Sequence, residues 1–253
     1  MREKTITVEG RTVIFDADGI NATAPAALFD TSQYDSVRRV RLGRGNVRFI
    51  DHGGCQWVMR EYLRGGVISK VVRASYLYLG RDSTRMAREF RFLAYLRKVG
   101  LPVPRPVAAQ IVQKGLTYRG ALITECLPGS KTLAELLQSS ALGADQWRRI
   151  GECIRAFHNR GVYHPDLNAN NVMLDDDRVY LIDFDRGELR DPEKSCWQLA
   201  NLERLRRSLQ KIQRSAPVFH FEERDWQYLA DGYEAACARE TEAVAAAAGR
   251  PDD

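Results

Sequence analysis

His164-Pro165-Asp166-Leu167-Asn168-Ala169-Asn170-Asn171 is followed by Val172-Met173-Leu174, an acidic run Asp175-Asp176-Asp177, a second apolar run from Val179 to Ile182, and then Asp183-Phe184-Asp185. The two apolar runs read as short strands of one hairpin, closed by the aspartate-rich turn. Upstream, Trp147, Ile150, Ile154 and Phe157 recur at helical spacing and Gly161 supplies a stop, so a helix ends just before the loop that carries Asp166. Asp166 and Asp183 therefore flank one hairpin, and Asn171 stands at its entrance.

The spacing H-x-D-x-x-x-x-N, closed after a strand by D-F, resembles that of phosphotransferases with a protein-kinase-like fold. Phosphoryl transfer requires few protein groups, but it fixes their positions tightly: the nucleotide is held, charge is neutralised by a metal, and a hydroxyl is aimed in line. In that reading Asp166 orients the acceptor hydroxyl and takes its proton, while Asn171 and Asp183 hold the metal. Mg²⁺ takes oxygen ligands and keeps several waters, so an amide oxygen and a carboxylate suffice once ATP phosphates complete the shell. ATP and Mg²⁺ are the expected cofactors.

With 253 residues and 44% hydrophobic content, the chain can bury a sizeable core, and its length suits one unit of two lobes. No segment approaches the apolar length of a membrane helix, and Met1-Arg2-Glu3-Lys4 lacks the apolar run of a signal peptide. Cys55, Cys126, Cys153, Cys196 and Cys237 are widely spaced without a C-x-x-C pair, which reads as reduced, mostly buried thiols rather than a disulfide framework or zinc site. From Arg38 to Arg105 there are 16 Lys+Arg against 4 Asp+Glu, a local +12, and the rest of the chain carries −7. Such a basic half is either a solvated face or one that meets an anion beyond ATP, a phosphorylated lipid surface or nucleic acid.

Along the chain, Thr5–Val8 and Thr12–Phe15 alternate as strands, and residues 21–35 are rich in turn formers. Leu42-Gly43-Arg44-Gly45-Asn46 is either an ordinary hairpin turn or the loop covering the phosphates, where Gly43 and Gly45 let backbone approach the nucleotide. Gln56–Tyr62 reads as a strand with Arg60 in the place of the phosphate-binding cation. Met86, Phe90, Leu93 and Leu96 form a helical stripe with Glu89 beside it, making Arg60 and Glu89 the candidate ion pair. Lys70 is a competing phosphate ligand. Gly100 to Pro106 cannot be helical; it leads to an apolar strand, residues 120–125, and a turn, then a helix from Leu133. Backbone groups of Glu125 and Leu127 there are the adenine candidates. The expected organisation is α+β: a small, mainly antiparallel β lobe (1–124), a hinge (125–129) and a mainly helical lobe (130–253), with a frayed tail from Ala245.

Met59-Arg60-Glu61-Tyr62-Leu63-Arg64-Gly65-Gly66, Leu101-Pro102-Val103-Pro104-Arg105-Pro106, Asp166-Leu167-Asn168-Ala169, Leu181-Ile182-Asp183-Phe184-Asp185-Arg186 and Asn201-Leu202-Glu203-Arg204-Leu205 together resemble the bacterial 3-deoxy-D-manno-octulosonic acid (Kdo) kinases, a lipopolysaccharide kinase family with a protein-kinase-like fold. The resemblance covers residues 38–209. It implies an enzyme at the cytoplasmic face of the inner membrane that uses ATP to phosphorylate the 4-hydroxyl of Kdo on lipid A, with Kdo-lipid A and an anionic membrane surface as partners and no nucleic acid. Another sugar phosphotransferase, a heptose or aminoglycoside-type kinase, is the alternative within enzymes; a non-catalytic kinase-like module is the alternative outside them.

The chain departs from the family and from protein kinases at several points. Asn170 stands where the family's loop carries a second His, Pro165 replaces the Arg that receives an activation-loop phosphate, and Asp183-Phe184-Asp185 replaces D-F-G with no A-P-E string among the 70 residues that follow Asp183. A small or lipid-linked acceptor is therefore expected. Residues 65–80 mix cations with apolar and aromatic side chains and read either as a packed hairpin or as a docking surface for lipid, with Lys70 and Arg73 as its cations. Arg186 is a candidate for the acceptor carboxylate. Arg204 and Arg207 are either further candidates or a solvated helix face. His164 is read as a support of its loop, and His52, His158 and His220 as structural or surface residues.

Overall fold

Alternation of apolar and polar residues builds most of the first half of the chain into one antiparallel sheet. The computed structural model describes residues 1–8, 10–20, 25–42, 45–62 and 76–248; Gly43, Lys70 and Arg73 lie outside them. The chain divides into two units, Met1–Pro128 and Gly129–Asp253, and the division falls inside the segment read as a hinge.

In the first unit β1 (Glu3–Val8) and β2 (Arg11–Asp16) form a hairpin with Glu3 opposite Asp16. They are followed by β3 (Ser36–Leu42), β4 (Gly45–His52), β5 (Cys55–Glu61), the short β6 (Tyr76–Leu77), α1 (Arg85–Lys98), β7 (Pro106–Lys114) and β8 (Thr117–Glu125). The sheet order is β1-β2-β7-β8-β5-β4-β3, with β6 joined to β8. One face buries Val13, Phe15, Ile50, Trp57, Met59 and Ile123 in a single cluster. Against β7 and β8 lies α1, burying Met86, Phe90, Leu93 and Leu96, each at 1% exposure or less. Removing each of these side chains from water contributes about 2 kcal/mol. β1 and β2 are clasped to this frame by Asp16, fully buried, which takes Arg105 Nη2 at 2.5 Å and the Arg2 amide at 3.0 Å.

The second unit is mainly helical. β9 (Lys131–Thr132) leads into α2 (Leu133–Ser139), which starts in a capping box: Thr132 Oγ1 accepts from the Glu135 amide at 3.1 Å, and Glu135 Oε2 accepts from the Thr132 amide at 2.9 Å. Then come α3 (Ala144–Asn159), β10 (Val162–Tyr163), the hairpin β11 (Val172–Leu174) and β12 (Val179–Leu181), β13 (Glu188–Leu189), α4 (Ser195–Ser215) and α5 (Glu223–Ala248). α3 packs on α5 where Gly151 faces Leu229 and Gly232 faces Arg148, so that the two backbones touch.

Two expectations are corrected. The helix α5 runs through Ala248, so residues 245–248 of the expected frayed tail are helical, as an alanine-rich stretch favours, and residues 249–253 lie outside the described residues. Among the described residues the cysteines are not mostly buried: Cys55 and Cys196 are exposed and Cys126 and Cys153 half-buried as residues, since Cys55 opens a strand just after the β4–β5 turn and Cys196 lies in the first turn of α4.

Candidate active site

The loop between β10 and β11 is held from below by a neutral histidine. His164 is 1% exposed; its Nε2 lies 2.9 Å from the Ile182 carbonyl and its Nδ1 accepts from the Asp166 amide at 3.1 Å. Those two partners select the Nε2–H tautomer, and burial lowers the ring's pKa from the usual 6.5. The ring centroid lies 4.6 Å from that of Phe184, which stacks on Phe157 at 5.6 Å. One imidazole thus ties the backbone at Asp166 to the strand end that delivers Asp183.

Above this support the polar groups are ordered by one carbonyl. The Asp166 carbonyl accepts from Asn168 Nδ2 and from Asn171 Nδ2, each at 2.9 Å. With its NH₂ committed, Asn171 keeps Oδ1 without a donor among the described residues. The Ile182 amide donates to the Asn171 carbonyl at 3.0 Å, so Asn171 and Asp183 sit at the same end of the hairpin. Asp183 is left-handed, with φ 64°, a conformation that Asp adopts more readily than most residues and that clusters at functional sites. An amide oxygen and a carboxylate are the hard donor pair that suits Mg²⁺.

A second layer comes from α4. Asn201 Nδ2 donates to the His164 carbonyl at 2.6 Å, Arg204 Nε donates to Asp166 Oδ1 at 3.2 Å with Nη2 on the same oxygen, and Ser208 Oγ accepts from the Ala169 amide at 3.3 Å. Residues 201, 204 and 208 lie on one helical face. This face holds the loop at three points, residues 164, 166 and 169.

In the first unit Arg60 Nη2 lies 2.5 Å from Glu89 Oε2, and Glu89 is 3% exposed, inside the apolar stripe of α1 rather than beside it. The Tyr62 hydroxyl also bonds Glu89, and Arg60 Nη2 reaches that hydroxyl at 3.0 Å. The guanidinium carbon sits 4.9 Å from the Tyr62 ring centroid. Gly45 opens β4 opposite Leu42, its hairpin partner. At the end of β8 the Glu125 amide donates to the Arg105 carbonyl at 2.9 Å and the Cys126 amide to the Gln56 carbonyl at 2.8 Å, so the Glu125 N–H is committed within this unit. Arg186 is exposed and left-handed, φ 63°, with no hydrogen-bond partner among the described residues.

A sequence model of the lipopolysaccharide kinase (Kdo/WaaP) family matches residues 29–233. The chain belongs to that family. It is 39% identical over 208 residues to a 3-deoxy-D-manno-octulosonic acid kinase of Vibrio parahaemolyticus serotype O3:K6 (strain RIMD 2210633), covering 81% of this chain and 86% of that one. It is 41% identical over 237 residues to the enzyme of the same name from Xanthomonas oryzae pv. oryzae (strain PXO99A), covering 91% and 94%. Among solved structures it is similar to WaaP in complex with acyl carrier protein (TM-score 0.51, 16% identity, 81% and 80% covered) and to a microcompartment-associated aminopropanol kinase (TM-score 0.50, 14% identity, 83% and 79% covered). The fold is protein-kinase-like, and this lipopolysaccharide kinase is an ATP-dependent phosphotransferase.

Sequence reasoning gives Tyr62 no role in the site and does not find the contact of Arg204 with Asp166. Tyr62 stood in the R-x-Y string only as a mark of resemblance; residues two apart in a strand share a face, which was the available signal for a common partner. Arg204, read from sequence as a solvated residue or a ligand for the acceptor, also bonds Asp166. The buried Asn201 on the same face, among Leu202, Leu205 and Leu209, was the sign that this row looks inward.

Proposed function

We propose that this kinase transfers the γ-phosphoryl group of ATP, with Mg²⁺, to the 4-hydroxyl of the Kdo residue of Kdo-lipid A in lipopolysaccharide core assembly. The reading is carried by the Asp166–Asn171–Asp183 constellation on one hairpin, in a chain whose relatives are named for Kdo. Asp166 takes the hydroxyl proton as the acceptor oxygen bonds to the γ-phosphorus and the bond to the β-phosphate bridging oxygen breaks, releasing ADP. Asn171 Oδ1 and the Asp183 carboxylate would hold Mg²⁺, which would neutralise charge on the phosphates. Arg60, oriented by Glu89 and Tyr62, faces the nucleotide phosphates as a planar fork where most kinases present a lysine. Gly45, opening β4, covers the phosphates, and backbone at Glu125 and Leu127 meets adenine.

The same reading places the protein peripherally on the cytoplasmic face of the inner membrane. No helix among the described residues is long and apolar enough to cross a membrane. Leu77, Leu79 and Leu116 are 63%, 73% and 79% exposed, and they are neighbours, since the Tyr78 amide donates to the Leu116 carbonyl at 2.9 Å. Lys114 beside them and Lys70 and Arg73 in the adjoining sequence supply cations for anionic lipid. The test is incubation with ATP, Mg²⁺ and Kdo-lipid A, followed by locating the new phosphate by NMR. Phosphate on the Kdo 4-oxygen is expected; phosphate on another sugar, or none, would overturn the assignment.

A further inference from the structure

Asp166 and Arg204 leave complementary atoms open. Both Arg204 donors, Nε at 3.2 Å and Nη2, converge on the single oxygen Oδ1 of Asp166. Among the described residues Asp166 Oδ2 accepts nothing and Arg204 Nη1 donates to nothing. The side chains are 55% and 46% exposed, so both atoms face solvent rather than a packed interior. A guanidinium has two donor edges, and only the Nε/Nη2 edge is engaged here; the Nη1/Nη2 edge matches a second carboxylate. A hydroxyl at Oδ2 and a carboxylate on that edge would belong to one small molecule, an alcohol with an acid group a few bonds away.

Charge gives the arrangement its purpose. An acidic acceptor brings an anion toward a carboxylate that must stay ionised to take a proton, and two anions at contact repel unless a cation stands between them. Arg204 already stands there. The arrangement comes from α4, anchored on either side by Asn201 on the His164 carbonyl and Ser208 on the Ala169 amide, so the guanidinium is carried on a rigid support. Arg186 and Arg207 are also exposed cations on this unit, but among the described residues neither is hydrogen-bonded or ion-paired to the loop.

We infer that Arg204 is a specificity-determining residue that receives the acceptor's carboxylate on its Nη1/Nη2 edge while its Nε/Nη2 edge holds Asp166. The inference rests on the proposed Kdo acceptor, an octulosonic acid in which three bonds separate the carboxyl carbon from the carbon bearing the 4-hydroxyl. The experiment compares Kdo-lipid A with its Kdo methyl ester as acceptors for the full-length wild type, Arg204→Met and Arg204→Lys, each checked for an unchanged thermal melt. For the wild type, esterification should lower kcat/KM about 10- to 100-fold, the usual worth of a charged hydrogen-bonded contact. For Arg204→Met the acid should fall by a similar factor through KM beyond the ester, while the loss of kcat from the released Asp166 is shared by both acceptors. Arg204→Lys, which keeps the charge but not the fork, should retain part of the preference for the acid.

Equal losses of kcat on acid and ester in Arg204→Met, with no ester penalty in the wild type, would overturn carboxylate recognition and leave Arg204 a positioning residue for Asp166. Unchanged kinetics in both variants would overturn it as well. A wild-type enzyme that phosphorylates the ester but not the acid would contradict it directly. Failure of the wild type to phosphorylate Kdo-lipid A at all appears before any variant is made; it would remove the Kdo reading itself and this inference with it.

Discussion

Glu89 shows how one residue links packing to chemistry. A carboxylate 3% exposed on a helix survives only if paired, and Arg60 and Tyr62 supply the pairing. Removing one partner of a buried ion pair costs about 3–5 kcal/mol, because the other charge is left unmatched. Glu89→Ala should therefore lower stability by about that amount in urea unfolding and raise KM for ATP, while Tyr62→Phe, which loses the hydroxyl's bonds to Glu89 and Arg60, should cost about 1–3 kcal/mol. An undisturbed KM in Glu89→Ala would separate Arg60 from nucleotide binding. At this scale the sequence was informative wherever a role follows from spacing along one element. Arg60 lies on a strand and Glu89 on a helix, and the ion pair between them was legible from those two positions. The Arg204–Asp166 contact is different. It joins residues 38 apart through the packing of α4 on a loop, and no local pattern encodes which way such a helix is turned.

At the scale of elements, the hairpin of β11 and β12 was readable from its alternating apolar residues and its Asp-rich turn, and α3 from its 3.6-residue period. What could not be read was how α3 meets α5. A Cβ on Gly151 would stand 2.0 Å from the Leu229 carbonyl oxygen, and one on Gly232 2.2 Å from that of Arg148. Gly151→Ala should push the two helices apart and cost about 1–3 kcal/mol, typical of overpacking, despite the better helix propensity of alanine. A stabilised variant would mean that the helices do not touch there.

The same region predicts a pH response. His158, 1% exposed against Asn201 and Tyr233, is lowered by burial from 6.5 to about 4, and His164 is lowered for the same reason. The unfolded chain takes up protons at these rings first. Their contribution to stability is thus fully present above pH 6.5 and is lost as pH falls below it; for His158 the loss runs from 6.5 towards about 4, at up to about 1.4 kcal/mol per pH unit. Melting temperatures measured from pH 7.5 to 4.5 should fall on the acid side; a flat profile in the wild type, or an equal slope in His158→Gln, would contradict this.

At the scale of the whole molecule, charge and exposed apolar surface gather in the first unit. The local +12 of residues 38–105 was legible from counting, but the three leucines that accompany it were not, because β6 brings Leu77 and Leu79 beside the β7–β8 turn only once the sheet has formed. Leu77→Asp with Leu116→Asp should abolish sedimentation with vesicles containing phosphatidylglycerol while leaving the melt unchanged, and wild-type binding should weaken with added salt. Retained binding in the double variant would place the membrane contact elsewhere. The central claim is that the loop of the second unit transfers phosphate to a lipid-linked acidic sugar. It is tested most directly by the mass of Kdo-lipid A after incubation with ATP and Mg²⁺, using wild type and Asp166→Ala in parallel. The account predicts a gain of one phosphate on the Kdo portion with the wild type and a rate lower by about 10²- to 10⁴-fold in the variant. An unmodified acceptor with the wild type, or equal transfer by Asp166→Ala, would contradict it.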